Sequence, residues 1–244
     1  MRGPSPGAMR RPTLHTARTA SDGTVGWHLL WFSRDGAARY LSHLDTARAL
    51  QRTFARAAVP IALSRGMRPK PRLSLVLPLP VGAVGVRELG VVELSAPTAP
   101  GEMLARLRAA APEGIGIAAL EPAAARPRPV AVSADYECEL DIDVERLALV
   151  VSWFAAEPVV TVRRTSPKGA RTIDLRRHVS AVTLRGSERG ARLGFTVGYG
   201  ASGAARPEEF VRVLAEKAGA DPVMRDLTRT RVAYKEWRGL PPRR

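Results

Sequence analysis

Arginine carries most of the chemistry this sequence can offer. Arg48, Arg52 and Arg56 recur every fourth residue, which on a helix lines them into a ridge about 12 Å long. A row of that length can meet two or three backbone phosphates, and guanidinium groups hold such oxygens bidentately. Shortly after comes Ser64-Arg-Gly-Met-Arg-Pro-Lys-Pro-Arg72, which presents Arg65, Arg68, Lys70 and Arg72. Pro69 and Pro71 stiffen that loop in advance, so less entropy is lost when it binds. Gly66 is expected to supply a backbone angle the turn requires. A third concentration, Arg163 to Arg177, has six basic residues against one acid and reads as a hairpin with a basic tip. It adds Arg163, Arg164, Lys168, Arg171, Arg176 and Arg177 to the expected RNA- or phosphate-binding set. The plainer readings are an ordinary solvated helix face for the first group, a plain connection for the loop and a solvated hairpin for the third.

Catalytic chemistry has thinner support. His43 stands between Ser42 and Asp45 at an expected helix start, where the positive end of the helix dipole disfavours an imidazolium. A neutral ring there is a general base for an RNA 2′-hydroxyl, although a lone histidine in a capping segment is more often structural. No Ser/His/Asp order, phosphate-binding P-loop, GxGxxG or HExxH motif is present, so no catalytic motif rises above background. The run Gly198 to Arg206 reads as a flexible connection or a phosphate cradle. Cys138 is the single cysteine, which excludes an internal disulfide, a four-cysteine zinc site and a cysteine-ligated iron–sulfur cluster. The four histidines lack metal-ligand spacing, so no metal or cofactor is expected. Aromatic residues make up only 5% of the chain, with Trp237 and Tyr199 the best candidates for base stacking. This favours contacts made through phosphate and shape.

The charge balance points the same way. There are 38 basic and 23 acidic residues, a net +15 and a pI near 11.3, so an anionic partner is expected. A bias toward arginine codons explains why only four of the basic residues are lysine, but not the excess of base over acid. No stretch approaches the roughly 18 apolar residues of a membrane helix, and the N-terminus lacks a secretory apolar run. A cytoplasmic protein without a membrane partner is expected.

Something must hold these cations in place. Residues 1–24 read as a disordered basic arm, 121–133 as a Pro/Ala-rich linker and 239–244 as a frayed tail. Between arm and linker, hydrophobic periodicity predicts a strand over Trp27–Phe32 and a helix after Ser42, with Leu44, Ala47, Leu50 and Phe54 facing the core. Strands follow near Ile61–Ser64, Leu73–Leu77 and Glu88–Leu94, then a helix over Glu102–Ala110 and a strand over Ile115–Leu120. The second half predicts strand Tyr136–Ile142, helix Val144–Ala155, several further strands, a helix opened by Pro207 and a strand near Arg229–Tyr234. The order suits an α+β protein of two tandem ferredoxin-like (split βαβ) units with antiparallel sheets, over 25–120 and 134–238. One continuous α+β domain is the alternative.

Arg39-Tyr-Leu-Ser-His-Leu-Asp45, then Leu63-Ser-Arg-Gly-Met-Arg-Pro-Lys-Pro-Arg-Leu-Ser-Leu-Val-Leu-Pro-Leu-Pro-Val-Gly82, then Glu88 opening a strand, resemble the radical SAM-linked protein family. That is a domain of unknown function encoded beside, or fused to, B12-binding-type radical SAM proteins. Ile173-Asp-Leu-Arg and Arg206-Pro-Glu-Glu are similar to its later segments. The family usually has Phe where Met67 stands, often His where Lys70 stands and an aromatic where Leu89 stands. The last two departures count against a catalytic histidine in the loop. The resemblance implies a radical SAM protein as partner, which would bring its own cluster. The family's neighbourhood with ribonuclease E/G and ribosomal-protein genes implies RNA or ribosome work. Architecture and charge are also similar to those of the CRISPR repeat-processing endoribonucleases. The expectation is an RNA-binding or substrate-presenting accessory protein. A metal-independent endoribonuclease using His43, or an interaction module for the radical SAM protein without RNA, is the alternative.

Overall fold

A computed structural model describes residues 25–96, 99–166, 169–200, 203–221 and 223–235. The expected arm and tail, Lys168 and Trp237 lie outside the described residues. The chain runs β1 (Gly26–Arg34), α1 (His43–Arg56), β2 (Leu73–Leu75), β3 (Val84–Leu94), α2 (Pro100–Ala110) and β4 (Ile115–Pro122). It continues with β5 (Ala131–Leu140), α3 (Val144–Ala156), β6 (Thr161–Ser166), β7 (Gly169–Asp174), β8 (Val179–Ser187), β9 (Gly190–Gly198), α4 (Pro207–Lys217) and β10 (Met224–Tyr234).

Helix α1 begins where Ser42 accepts the Asp45 N–H at 3.1 Å and donates its hydroxyl to the Asp45 carboxylate at 2.7 Å. Thr46, Ala49, Leu50, Thr53 and Phe54 face the core, an i, i+3, i+4 stripe. Leu44, expected on that stripe, is 65% exposed, because it stands one turn before Arg48 on the solvent side. The helix stops at Ala58, whose φ of +50° lets Val59 N–H return to Phe54 O at 3.0 Å, a turn that favours glycine. Ala58→Gly should therefore raise stability by roughly 0.5–1 kcal/mol, read as a shift in urea midpoint. The expected Ile61–Ser64 strand is reduced to isolated bridges, Ile61 to Leu94 and Leu63 to Pro71.

Among the described residues the fold is α+β: four α-helices and a large, mostly antiparallel sheet in the order β4-β1-β3-β10-β5-β9-β8. Its one parallel junction is β3 with β10, over Val84–Gly85 and Thr228–Arg229. Further along the same edge of β3, β2 pairs antiparallel with Gly90–Val92. In each half the last strand lies beside the first, and the two inner strands follow. Helices α1 and α2 cover one apolar cluster around Leu50, Phe54 and Met103; α3 and α4 cover a second around Phe154, Phe195 and Phe210. The short hairpin β6–β7 forms its own two-stranded sheet. Edge strand β4 is blunted by Arg108, which donates to Ile117 O at 2.9 Å and Ala118 O at 2.8 Å, occupying carbonyls that another strand could otherwise use.

The expected linker is shorter than its composition suggests and does more than separate. Glu121 and Pro122 belong to β4, and Ala131 already belongs to β5. Residues 123–130 must therefore pass β1, β3 and β10, about 19 Å at ordinary strand spacing. Ala123 N–H reaches Trp27 O at 2.8 Å, Arg126 stacks on Trp27 at 5.1 Å, and Lys235 N–H reaches Val130 O at 2.8 Å. This strap crosses the sheet face opposite α1 and α2, beside a small apolar cluster of Leu29, Trp31, Leu89 and Val91.

Cys138 lies buried in the second core, and burial pushes its thiol up to about 12. Iodoacetamide should leave it unmodified in the folded protein at neutral pH and label it after denaturation. Among the described residues no helix is long and apolar enough to cross a membrane.

Candidate nucleic-acid interface

Three charged side chains inside the sheet position the basic surface. Arg34 of β1, Glu88 of β3 and Arg229 of β10 are 1%, 3% and 1% exposed. Arg229 grips Glu88 with two hydrogen bonds, Nε to Oε1 at 2.9 Å and Nη2 to Oε2. Between Leu77 and Ala83 the chain holds Pro78 and Pro80 and belongs to no strand, so its carbonyls need donors from elsewhere. Arg229 donates to Leu77 O at 3.1 Å and Pro78 O at 2.9 Å. Arg34 donates to Pro80 O at 2.8 Å and Ala83 O at 3.3 Å. Its other arm reaches Leu41 O and Thr46 Oγ1, both at 2.9 Å. Two guanidinium groups thus hold the 77–83 segment, and Arg34 ties it to the start of α1. Burial lowers the Arg34 pKa, with the Glu88 charge acting in the opposite sense. For Arg229 burial also opposes the charge, but Glu88 outweighs it and the pKa is raised.

The surface these residues support is one-signed. No acid occurs between Asp45 and Glu88, an interval with eight Arg and Lys residues. Arg52, Arg56, Arg65, Arg68 and Lys70 are exposed and make no ion pair among the described residues. Arg48 is exposed too but stands 3.1 Å from Asp45, whose carboxyl is held below its usual range first by the Ser42 hydroxyl and then by Arg48. The loop lies beyond the C-terminus of α1, because Ile61 bridges to Leu94 at the end of β3. It is internally tied by Ser64 N–H to Lys70 O at 2.8 Å and Lys70 N–H to Ser64 Oγ at 2.9 Å. Gly66 takes a φ of +132°, which favours glycine as expected. Arg72 is committed elsewhere: it pairs with Glu93 and stacks on Trp27 at 4.8 Å.

The second-half group divides similarly. In the β6–β7 hairpin Val162 and Ile173 are buried while Arg163 and Arg171 are exposed. Arg164 turns inward to Glu209 of α4, with Nε to Oε1 at 2.7 Å and Nη2 to Oε2 at 2.6 Å; that contact raises its pKa. Arg176 stacks on Phe154 at 4.9 Å and donates to Ala155 O at 3.2 Å. Arg177 pairs with Asp174 at 3.2 Å yet remains 82% exposed. Arg164 and Arg176 hold the hairpin to the body, while Arg163, Arg171 and Arg177 are exposed.

His43 is half-buried beside a cavity of about 10 Å³ shared with Arg34, Thr46 and Glu88. That is room for about one water and none for a nucleotide. Tyr199 is half-buried, with its hydroxyl 2.9 Å from that of Tyr136, so its ring is not an open stacking platform. Between Tyr199 and Arg206, residues 201 and 202 lie outside the described set.

Sequence reading missed the buried trio. Its signal was present: Arg34, Glu88 and Arg229 are charges set within or beside apolar strands, where an unpaired ion would be costly.

No curated protein matches the chain. A profile of uncharacterized proteins conserved in bacteria (DUF2344) matches residues 28–207, from β1 to the first residue of α4. The match takes in Arg34, Glu88, the acid-free interval and the β6–β7 hairpin. On that match the chain belongs to the DUF2344 family.

Proposed function

We propose that this protein is an RNA-binding or substrate-presenting accessory factor that acts with a radical SAM enzyme. Arg52, Arg56, Arg65, Arg68 and Lys70 supply its main phosphate-binding surface, with Arg48 beside them and the β6–β7 hairpin adding a second. The observation that carries the RNA reading is the pairing pattern. Exposed Arg192 and Arg225 each have a carboxylate within 4 Å, while the four arginines and one lysine from Arg52 to Lys70 have none among the described residues and stand in an interval without a single acid. Ions left unpaired on a rigid surface are available to phosphate. The radical SAM partner rests on the resemblance of the 39–45 and 63–82 motifs. The strand order within each half supports reading the fold as two ferredoxin-like units joined at β3 and β10.

Measured by fluorescence anisotropy, log K for RNA should fall with log salt at a slope of about −4, the value for five cations at 0.7–0.9 each. A flat dependence excludes the reading. Co-purification of a radical SAM protein that survives nuclease treatment tests the partner separately.

A further inference from the structure

We propose that the RNA is base-paired where it meets this surface, an inference that rests on the RNA reading above. Proteins that hold single strands do so with open aromatic faces on which bases stack. Among the described residues the aromatic rings are buried, half-buried or lie under a cation. Trp27 lies under both Arg72 and Arg126, at 4.8 and 5.1 Å. Trp31 is 9% exposed, donates Nε1–H to Glu121 at 3.1 Å and is covered by Arg87 at 4.5 Å. Lys217 stands 4.5 Å over Trp153. Tyr40 is the one exposed aromatic among the described residues, and Arg39 stands over it at 5.0 Å.

The sheet faces are no better suited to an unpaired strand. In the first half the 123–130 strap crosses at Trp27. In the second half the face opposite the helices mixes Asp135, Glu137 and Glu139 with Arg185 and Arg192, and Arg192 is already paired with Glu139. What remains is the helix face and its loop. Arg48, Arg52 and Arg56 advance about 6 Å per step along a straight helix, and the loop beyond is stiffened by its own hydrogen bonds. A fixed row of cations matches a fixed row of phosphates, which a duplex has before binding. A flexible strand must lose conformational freedom to form one.

The test compares the full-length protein's affinity for an RNA hairpin of about 16 base pairs with that for an unpaired strand of equal phosphate count, at one salt concentration. The hairpin should bind at least about tenfold tighter. Tyr40→Ala combined with Trp237→Ala should leave hairpin affinity within about twofold. An unpaired strand bound as tightly as the hairpin overturns the proposal, as does a tenfold loss in the double variant. If neither RNA is bound, the RNA reading falls and this proposal with it; a preference for the unpaired strand refutes base pairing alone.

Discussion

Changing Arg52, Arg56, Arg65, Arg68 and Lys70 together to glutamine should weaken RNA binding by roughly 100- to 1,000-fold near physiological salt. It should also flatten the salt dependence by about 4 in slope, since each cation removed is one fewer counterion released. The fold should not notice. None of the five forms an ion pair among the described residues, and exposed substitutions of this kind change stability by about 0.5 kcal/mol or less. The matched control is Arg164→Gln with Arg176→Gln. Those side chains bond Glu209 and the Ala155 carbonyl, so stability should fall while the salt slope stays within about one of the parent's. If the five-site variant binds RNA like the parent, the surface has been assigned to the wrong face.

Glu88→Gln should be the most destabilising single change, by about 3–5 kcal/mol. It leaves Arg229, 1% exposed, without a counter-charge, and Arg34 lies in the same region with no carboxylate of its own. Replacing both partners, Glu88→Leu with Arg229→Met, should recover part of that loss, because Arg229 is then no longer a buried ion without its partner, although Arg34 still loses the Glu88 charge. It should not recover everything, since Leu77 O and Pro78 O would still lack their donor. Urea denaturation of the two variants gives the comparison directly. Equal destabilisation would mean that losing the Arg229 bonds to Leu77 O and Pro78 O costs as much as leaving Arg229 buried without Glu88.

Local rules were legible wherever one chemical period dominated. The α1 boundaries followed from Ser42 and Asp45, and the outward direction of Arg48, Arg52 and Arg56 from their spacing. The rigid loop followed from Pro69, Pro71 and Gly66. Leu44 was misjudged because hydrophobicity alone cannot tell the first turn of a helix which side is covered. Arg72, Arg164 and Arg176 looked like free cations because Glu93, Glu209 and Phe154 are distant or unremarkable in sequence. The Glu88–Arg229 pair spans 141 residues, a separation no local pattern encodes. Residues 123–130 of the expected linker form neither helix nor strand. Only the strand order reveals that the segment lies across a sheet face.

Strand β10 carries the donor for two carbonyls of the 77–83 segment, yet that donor follows them in sequence by 151 and 152 residues. A nascent chain with β1 to β4 complete still lacks Arg229, so Leu77 O and Pro78 O stay hydrated and Glu88 has no buried partner. The first half therefore reaches its finished shape only once β10 has been synthesised, and so distant a closure slows the final folding step. Truncated products ending before β10 should be poor competitors for RNA and ready substrates for proteolysis. Synthesis of β10 then acts as a checkpoint on assembly of the basic surface.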